Sequence, residues 1–232
     1  MELTARAAVR SLTRVMKDRS EALVNDPILA RLVNELVTRH GCHTVVLYGS
    51  RALGAATAES DWDMLGIRAE GEATRDARLV DGVFFDAFIV PEKDVVDAGA
   101  NYLHVRGGIP VLDPRGLGAR LVEDAAAALA LPPKGLPEAE IAARRAWCRK
   151  MLGRIRRGGP ADVEAHYRRA WLLFDLLELY FVFRGRHFLG PKESFRRLAA
   201  EDAPVHAAFS AALAPGAPVE AIEALVERVL SA

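Results

Sequence analysis

Up to about residue 130 the apolar residues come in short runs broken by turn signals. Beyond residue 137 they return every three or four positions. The first pattern predicts strands with a few helices, and the second predicts helices alone. Residues 3–17 and 27–39 have helical spacing (Leu12, Val15, Met16; Leu29, Leu32, Leu36), and His40-Gly41 ends the second helix. Residues 43–48 read as a buried strand, Arg51 to Gly54 as the start of a short helix, and residues 62–68 as the next strand. Residues 77–90 read as a hairpin turning at Asp81-Gly82, a pair suited to the positive φ angles of a tight turn. Ile109 to Leu112 adds a short strand stopped by Asp113-Pro114, and residues 116–130 read as an alanine-rich helix.

Leu131-Pro-Pro-Lys-Gly-Leu136 cannot continue a helix, because two prolines and a glycine interrupt it. It is read as a linker between residues 1–130 and residues 137–232. Beyond it helices are predicted at 137–157, 161–184, about 191–200, 203–213 and 217–231. Trp171, Phe174, Leu177 and Phe181 form a helical stripe that reads as core. The expected fold class is α+β, a small mixed sheet with helices followed by an all-helical domain.

Composition narrows the function. The chain has 232 residues, half of them apolar, enough for a sizeable core. Lysine plus arginine equal aspartate plus glutamate at 31 each, which argues against a general nucleic-acid coat. The balance hides one basic stretch, residues 137–160, with seven basic and two acidic side chains. No apolar run approaches the roughly 20 residues of a membrane span, so no membrane partner is expected. The Arg-rich start mimics an import signal, but Glu2, Asp18 and the absence of a Ser-rich character favour a surface helix. Cys42 and Cys148 stand far apart and in no metal-ligand spacing, as expected of reduced thiols in a cytoplasmic protein.

The chemistry concentrates in residues 45–90. An apolar strand ends in Gly49-Ser50, and Ser60 then precedes Asp61-Trp-Asp63. Glycine lets the backbone approach a phosphate, and a serine opening a helix can turn its hydroxyl and N–H towards an anion. Arg51 or Gly54 is placed to assist. Side chains at i and i+2 of a strand point the same way, about 7 Å apart. Two carboxylates there repel each other unless a cation binds, and magnesium favours such hard oxygen ligands. Asp86, inside Val83-Phe-Phe-Asp-Ala-Phe-Ile-Val90, is a third carboxylate among apolar neighbours. An unpaired carboxylate there is costly, so a metal or an arginine must answer it. Asp81 is the rival, but it suits the turn.

Gly49-Ser50, the ten-residue gap, Asp61-x-Asp63 and the later Asp86 resemble the DNA polymerase β-like nucleotidyltransferase superfamily. An α/β part followed by helices is most similar to its kanamycin and lincosamide nucleotidyltransferase branch. In the helical half the likeness rests on Glu178-Leu-Tyr-Phe and Gly190-Pro-Lys-Glu-Ser-Phe195. The resemblance implies transfer of a nucleoside monophosphate from ATP or another nucleoside triphosphate to a hydroxyl, with two Mg2+ ions and release of pyrophosphate. It implies Asp61, Asp63 and Asp86 as metal ligands and Gly49 and Ser50 as nucleotide contacts; Arg51 and Lys192 are expected nucleotide contacts from their own positions. Asp86 would also accept the proton of the attacking hydroxyl.

Glu178 interrupts an apolar helix and is a candidate base; pairing with Arg184 or Arg186 is the plainer alternative. Lys192, in a Gly-Pro-Lys turn at a helix start, is the single basic residue favoured for a phosphate or substrate contact. The expected acceptor is a small hydroxylated molecule of aminoglycoside or lincosamide type, with tRNA or protein as rival acceptors. A non-catalytic nucleotide-binding module is the reading from another class, and a homodimer is compatible with the sequence. None of His104, His166, His187 or His206 has an arginine five to seven residues upstream, which sets aside a helical nuclease.

Overall fold

Local sequence rules set the first turns of the fold in the computed structural model, which describes residues 26–159 and 161–231. The helix expected at residues 3–17 lies outside them. Helix α1 (Pro27–His40) opens on Asp26, whose carboxylate accepts from the backbone N–H of Ile28 and Leu29, and it closes on Gly41 at φ +68°. Strand β1 (Cys42–Tyr48) leads into the short helix α2 (Gly49–Leu53). Strand β2 (Trp62–Arg68) follows, then the hairpin of β3 (Thr74–Val80) and β4 (Val83–Pro91). Asp81 and Gly82 take φ +51° and +81°, the geometry that keeps a two-residue hairpin in line with strand twist. Three 3-10 turns, β5 (Ile109–Leu112) and α3 (Leu117–Ala130) complete the first unit.

The sheet is five-stranded in the order β3-β4-β2-β1-β5. Only β2 and β4 pair in parallel; the other neighbours are antiparallel, so the sheet is mixed. Alternation along each strand sends residues to two cores. Val45, Leu47, Trp62, Met64, Phe85, Ala87 and Ile89 pack against α1 through Leu29, Leu32 and Leu36. Val46, Tyr48, Leu65, Ile67 and Val90 pack on the opposite face against Leu121 and Ala125 of α3.

The contacts divide the chain after Ala130. The second unit is all helical: α4 (Glu138–Arg157), α5 (Val163–Val182), α6 (Pro191–Glu201), α7 (Ala203–Leu213) and α8 (Val219–Leu230). Its core joins Cys148, Met151 and Leu152 of α4 to Leu172, Leu176 and Phe181 of α5 and to Phe209, Leu225 and Val229. The stripe expected as core on α5 is corrected here. Leu177 and Phe181 are buried, but Trp171 and Phe174 are exposed. The physical reason is that α5 is apolar on more than one side, and its neighbours cover the side carrying Leu172, Leu173, Leu176 and Tyr180.

Candidate active site

Strand register builds the site. Tyr48 of β1 pairs with Asp63 of β2, and Asp63 pairs with Asp86 of β4. Paired residues in a sheet point to the same face, so a phenol and two carboxylates form one row across three central strands. Trp62 makes this possible: it is fully buried towards α1, and alternation then turns Asp63 to the opposite face. On β4 the buried Phe85 and Ala87 do the same for Asp86, which lies between the exposed rings of Phe84 and Phe88.

Gly49 turns the chain from β1 into α2 at φ +71°. A Cβ at this position would collide with Asp63 Oδ2. The glycine is therefore required twice, by the backbone angle and by the carboxylate packed over its Cα. Ser50 follows in the first turn of α2, half-buried.

Asp86 has an arginine partner. Arg75 of β3 donates from Nε to Oδ1 at 2.6 Å and from Nη2 to Oδ2 at 2.7 Å. Arg75 stands opposite Phe88, diagonal to Asp86 on the same face, and its guanidinium lies 5.0 Å from the Phe88 ring. The pairing with Asp86 raises the Arg75 pKa further. The Tyr48 hydroxyl is pushed well up, first by burial and then by the charges of Asp63 and Asp86, with Arg75 opposing. The phenol thus stays protonated and is available to donate beside the carboxylates. The His104 ring meets the Tyr48 ring edge-on at 5.1 Å, and burial, then Arg106, pushes its pKa down, which favours the neutral imidazole.

Asp61 and Arg51 differ from expectation. Asp61 is exposed and stands one residue ahead of β2, outside the row. Arg51, expected at the nucleotide, donates instead to the carbonyl of Ser60 from Nε at 3.0 Å and Nη2 at 2.6 Å, and from Nε to the Asp61 carbonyl at 3.1 Å. Its guanidinium lies 3.9 Å from the Trp62 ring. It fixes the backbone of the loop that carries Asp61, which makes it a positioning residue. Among the described residues no three His, Cys, Asp or Glu side chains are gathered to hold a metal ion. The expected trio is a carboxylate pair, one member clipped by Arg75, with Asp61 beside it on the loop.

The second unit holds the remaining candidates. Glu178 is exposed and lines a cavity of about 210 Å³ with Glu140, Arg144, Trp147, Asp175 and Leu179. Burial, then the charge of Glu178, raises the Asp175 pKa, and Arg144 opposes them. Glu178 pairs with neither expected arginine: Arg184 donates to the carbonyls of Tyr180, Val229 and Arg228, and Arg186 pairs with Glu201. Lys192 is exposed in the first turn of α6, and no contact joins it to Glu178. Much of the basic charge on α4 is answered internally, with Arg144 on Glu140, Arg154 near Glu164 and Arg156 on Glu223.

Tyr48, Arg75 and His104 are the residues that sequence reasoning missed. For Arg75 a signal existed. An Asp81-Gly82 turn fixes the pairing of Val80 with Val83, and counting outward brings residue 75 opposite residue 88, beside Asp86. His104 has no such local signal.

No family model matches this chain. No curated protein matches it either. Among solved structures it is similar to the crystal structure of a nucleotidyltransferase-like protein from Exiguobacterium sibiricum, at 13% identity and a TM-score of 0.44, over 85% of this chain and 73% of that one. Likeness at that level carries neither activity nor substrate. Among the described residues no helix is long and apolar enough to cross a membrane.

Proposed function

We propose that the α+β unit transfers a nucleoside monophosphate from ATP or another nucleoside triphosphate to a hydroxyl of a small molecule, releasing pyrophosphate, as in the kanamycin and lincosamide branch. The observation that carries this reading is the register row Tyr48–Asp63–Asp86 beside the Gly49 bend. Adjacent carboxylates on a sheet repel each other, and a site that keeps them together is suited to a cation.

Asp63 and Asp86, with Asp61 on the adjoining loop, offer the hard oxygen donors that magnesium takes and shares with phosphates. Bound there, magnesium would neutralise charge on the triphosphate and on the leaving pyrophosphate. The chain's own residues do the rest. Gly49 leaves room for the Asp63 carboxylate. Ser50 offers its hydroxyl to a phosphate oxygen. Arg51 holds the loop that carries Asp61. Asp86, released from Arg75, accepts the proton of the attacking hydroxyl. The acceptor oxygen bonds to the α-phosphorus, and the bond from that phosphorus to the pyrophosphate oxygen breaks.

The test is incubation with α-labelled ATP, magnesium and an acceptor panel of aminoglycosides, lincosamides, bulk tRNA and cell lysate. Label on a small molecule is expected. Label on tRNA or protein would replace the acceptor class. ATP bound without any transfer would sink the transferase reading in favour of a binding module.

A further inference from the structure

Among the described residues, one helix face of the second unit is left without a partner. On α5, Val163 is 80% exposed, Tyr167 67%, Trp171 46% and Phe174 78%. Spacings of four, four and three place them on one stripe, about 16 Å long at the rise of an α-helix. Two of them touch through their rings, Tyr167 and Trp171 at 6.2 Å, and Trp171 also meets Trp147 of α4 at 5.3 Å. Single exposed apolar side chains are ordinary on a protein surface; four on one helix face, three of them aromatic, are a mark of an interaction site.

Charge at the two ends of the stripe says what covers it. Its N-terminal end adjoins a cavity of about 290 Å³ lined by Arg154, Arg157 and Arg168, with Asp162 and Glu164. Its C-terminal end adjoins the cavity lined by Glu140, Asp175 and Glu178, with Arg144. One end is net basic and the other net acidic. A nucleic acid or an anionic membrane would meet the acidic end unfavourably. A second copy, laid antiparallel, meets both ends favourably, because a two-fold axis sets each acidic end over a basic end.

We infer that α5 is the seam of a homodimer in which two copies pair antiparallel about a two-fold axis near Ala170 and Trp171. In that register Tyr167 lies on Phe174 of the second copy, and Trp171 lies over the small, exposed Ala170. Glu178 comes opposite position 163 of the second copy, beside its Arg157. Tryptophan and tyrosine at the centre, ringed by charge, is the composition that carries most of the affinity in stable interfaces. The seam is independent of the proposed chemistry.

The test is sedimentation velocity of the full chain from 1 to 100 µM. The wild type is expected at twice the 25.3 kDa chain mass. Phe174→Glu with Trp171→Glu should return it to the monomer mass with at least a 100-fold weaker dissociation constant and an unchanged far-ultraviolet circular dichroism spectrum. Glu178→Arg alone and Arg157→Glu alone should each weaken the dimer about tenfold, and the double exchange should restore it. A wild type that stays monomeric at 100 µM overturns the inference, including one that gains mass only on adding tRNA. So does a dimer that survives the double glutamate variant, or charge variants whose combination fails to recover.

Discussion

The molecule exposes aromatic rings in two places, and the two arise differently. On β4, Phe84 and Phe88 are each 39% exposed and frame Asp86, while Phe85 and Ala87 between them are fully buried. On α5, Trp171 and Phe174 are exposed while Leu172, Leu173 and Leu176 are buried. A strand has two faces and a period of two, so one buried residue fixes where every neighbour points. A helix that is apolar on several sides has no such rule. Its buried side is chosen by whichever helices pack on it, here α4 and α8. The strand thus aims a carboxylate, whereas the helix offers a surface.

The largest expected effect breaks the first half of that comparison. Asp86→Asn should lower turnover with labelled ATP by about 1,000-fold, or about 4 kcal/mol. Its thermal midpoint should move by only a few degrees, because the Arg75 pair is open to solvent on the arginine side. Wild-type turnover in this variant would remove Asp86 from the chemistry.

Next come two tryptophans that the fold treats differently. Trp62→Ala should cost about 3–5 kcal/mol in denaturant titration, because the whole ring is buried between the sheet and α1. Trp171→Ala should cost about 1 kcal/mol or less in a monomeric sample, because half its ring already faces water. Equal losses would mean that both faces of α5 are core after all.

Legibility followed the same divide. The hairpin turn, the strand carrying Asp63 and the apolar frame of Asp86 were readable, because each depends on residues a few positions apart. Helix ends were readable at Gly41 and at Pro191 for the same reason. The Arg75–Asp86 pair needed register as well as pattern. The contact of His104 with Tyr48 depends on how the 3-10 turns return to the sheet, which no spacing encodes. Arg51 was read as a phosphate ligand because it follows Gly-Ser; the loop carbonyls it serves lie nine and ten residues away.

A smaller effect is expected at the bend. Gly49→Ala should destabilise the chain by about 1–3 kcal/mol, since alanine resists φ +71° and its methyl displaces the Asp63 carboxylate. Gly82→Ala, which also has positive φ but nothing near its missing Cβ, separates the two causes. If the two variants lost the same stability, packing of Asp63 over Gly49 would contribute nothing.

The smallest effect compares the units directly, because each holds one buried cysteine. Burial pushes the Cys42 thiol up to about 11, with Arg68 opposing. Burial, then Asp175, pushes Cys148 up to about 11, with Arg149 and Arg144 opposing. The folded pKa is above the unfolded one in both cases. The stability this gives is whole at neutral pH and is lost as pH rises from the ordinary thiol range through about 11. Below that range the thiols are also nearly inert, so a thiol reagent at pH 8 reads only opening of the chain. Cys42→Ala leaves the probe in the helical unit, and Cys148→Ala leaves it in the sheet unit. Distinct labelling rates are expected from the two variants, because the cores that bury the two thiols share no residue. A single common rate would mean that the cores open together, and the contrast between strand-built and helix-built surfaces would then stop at the surface.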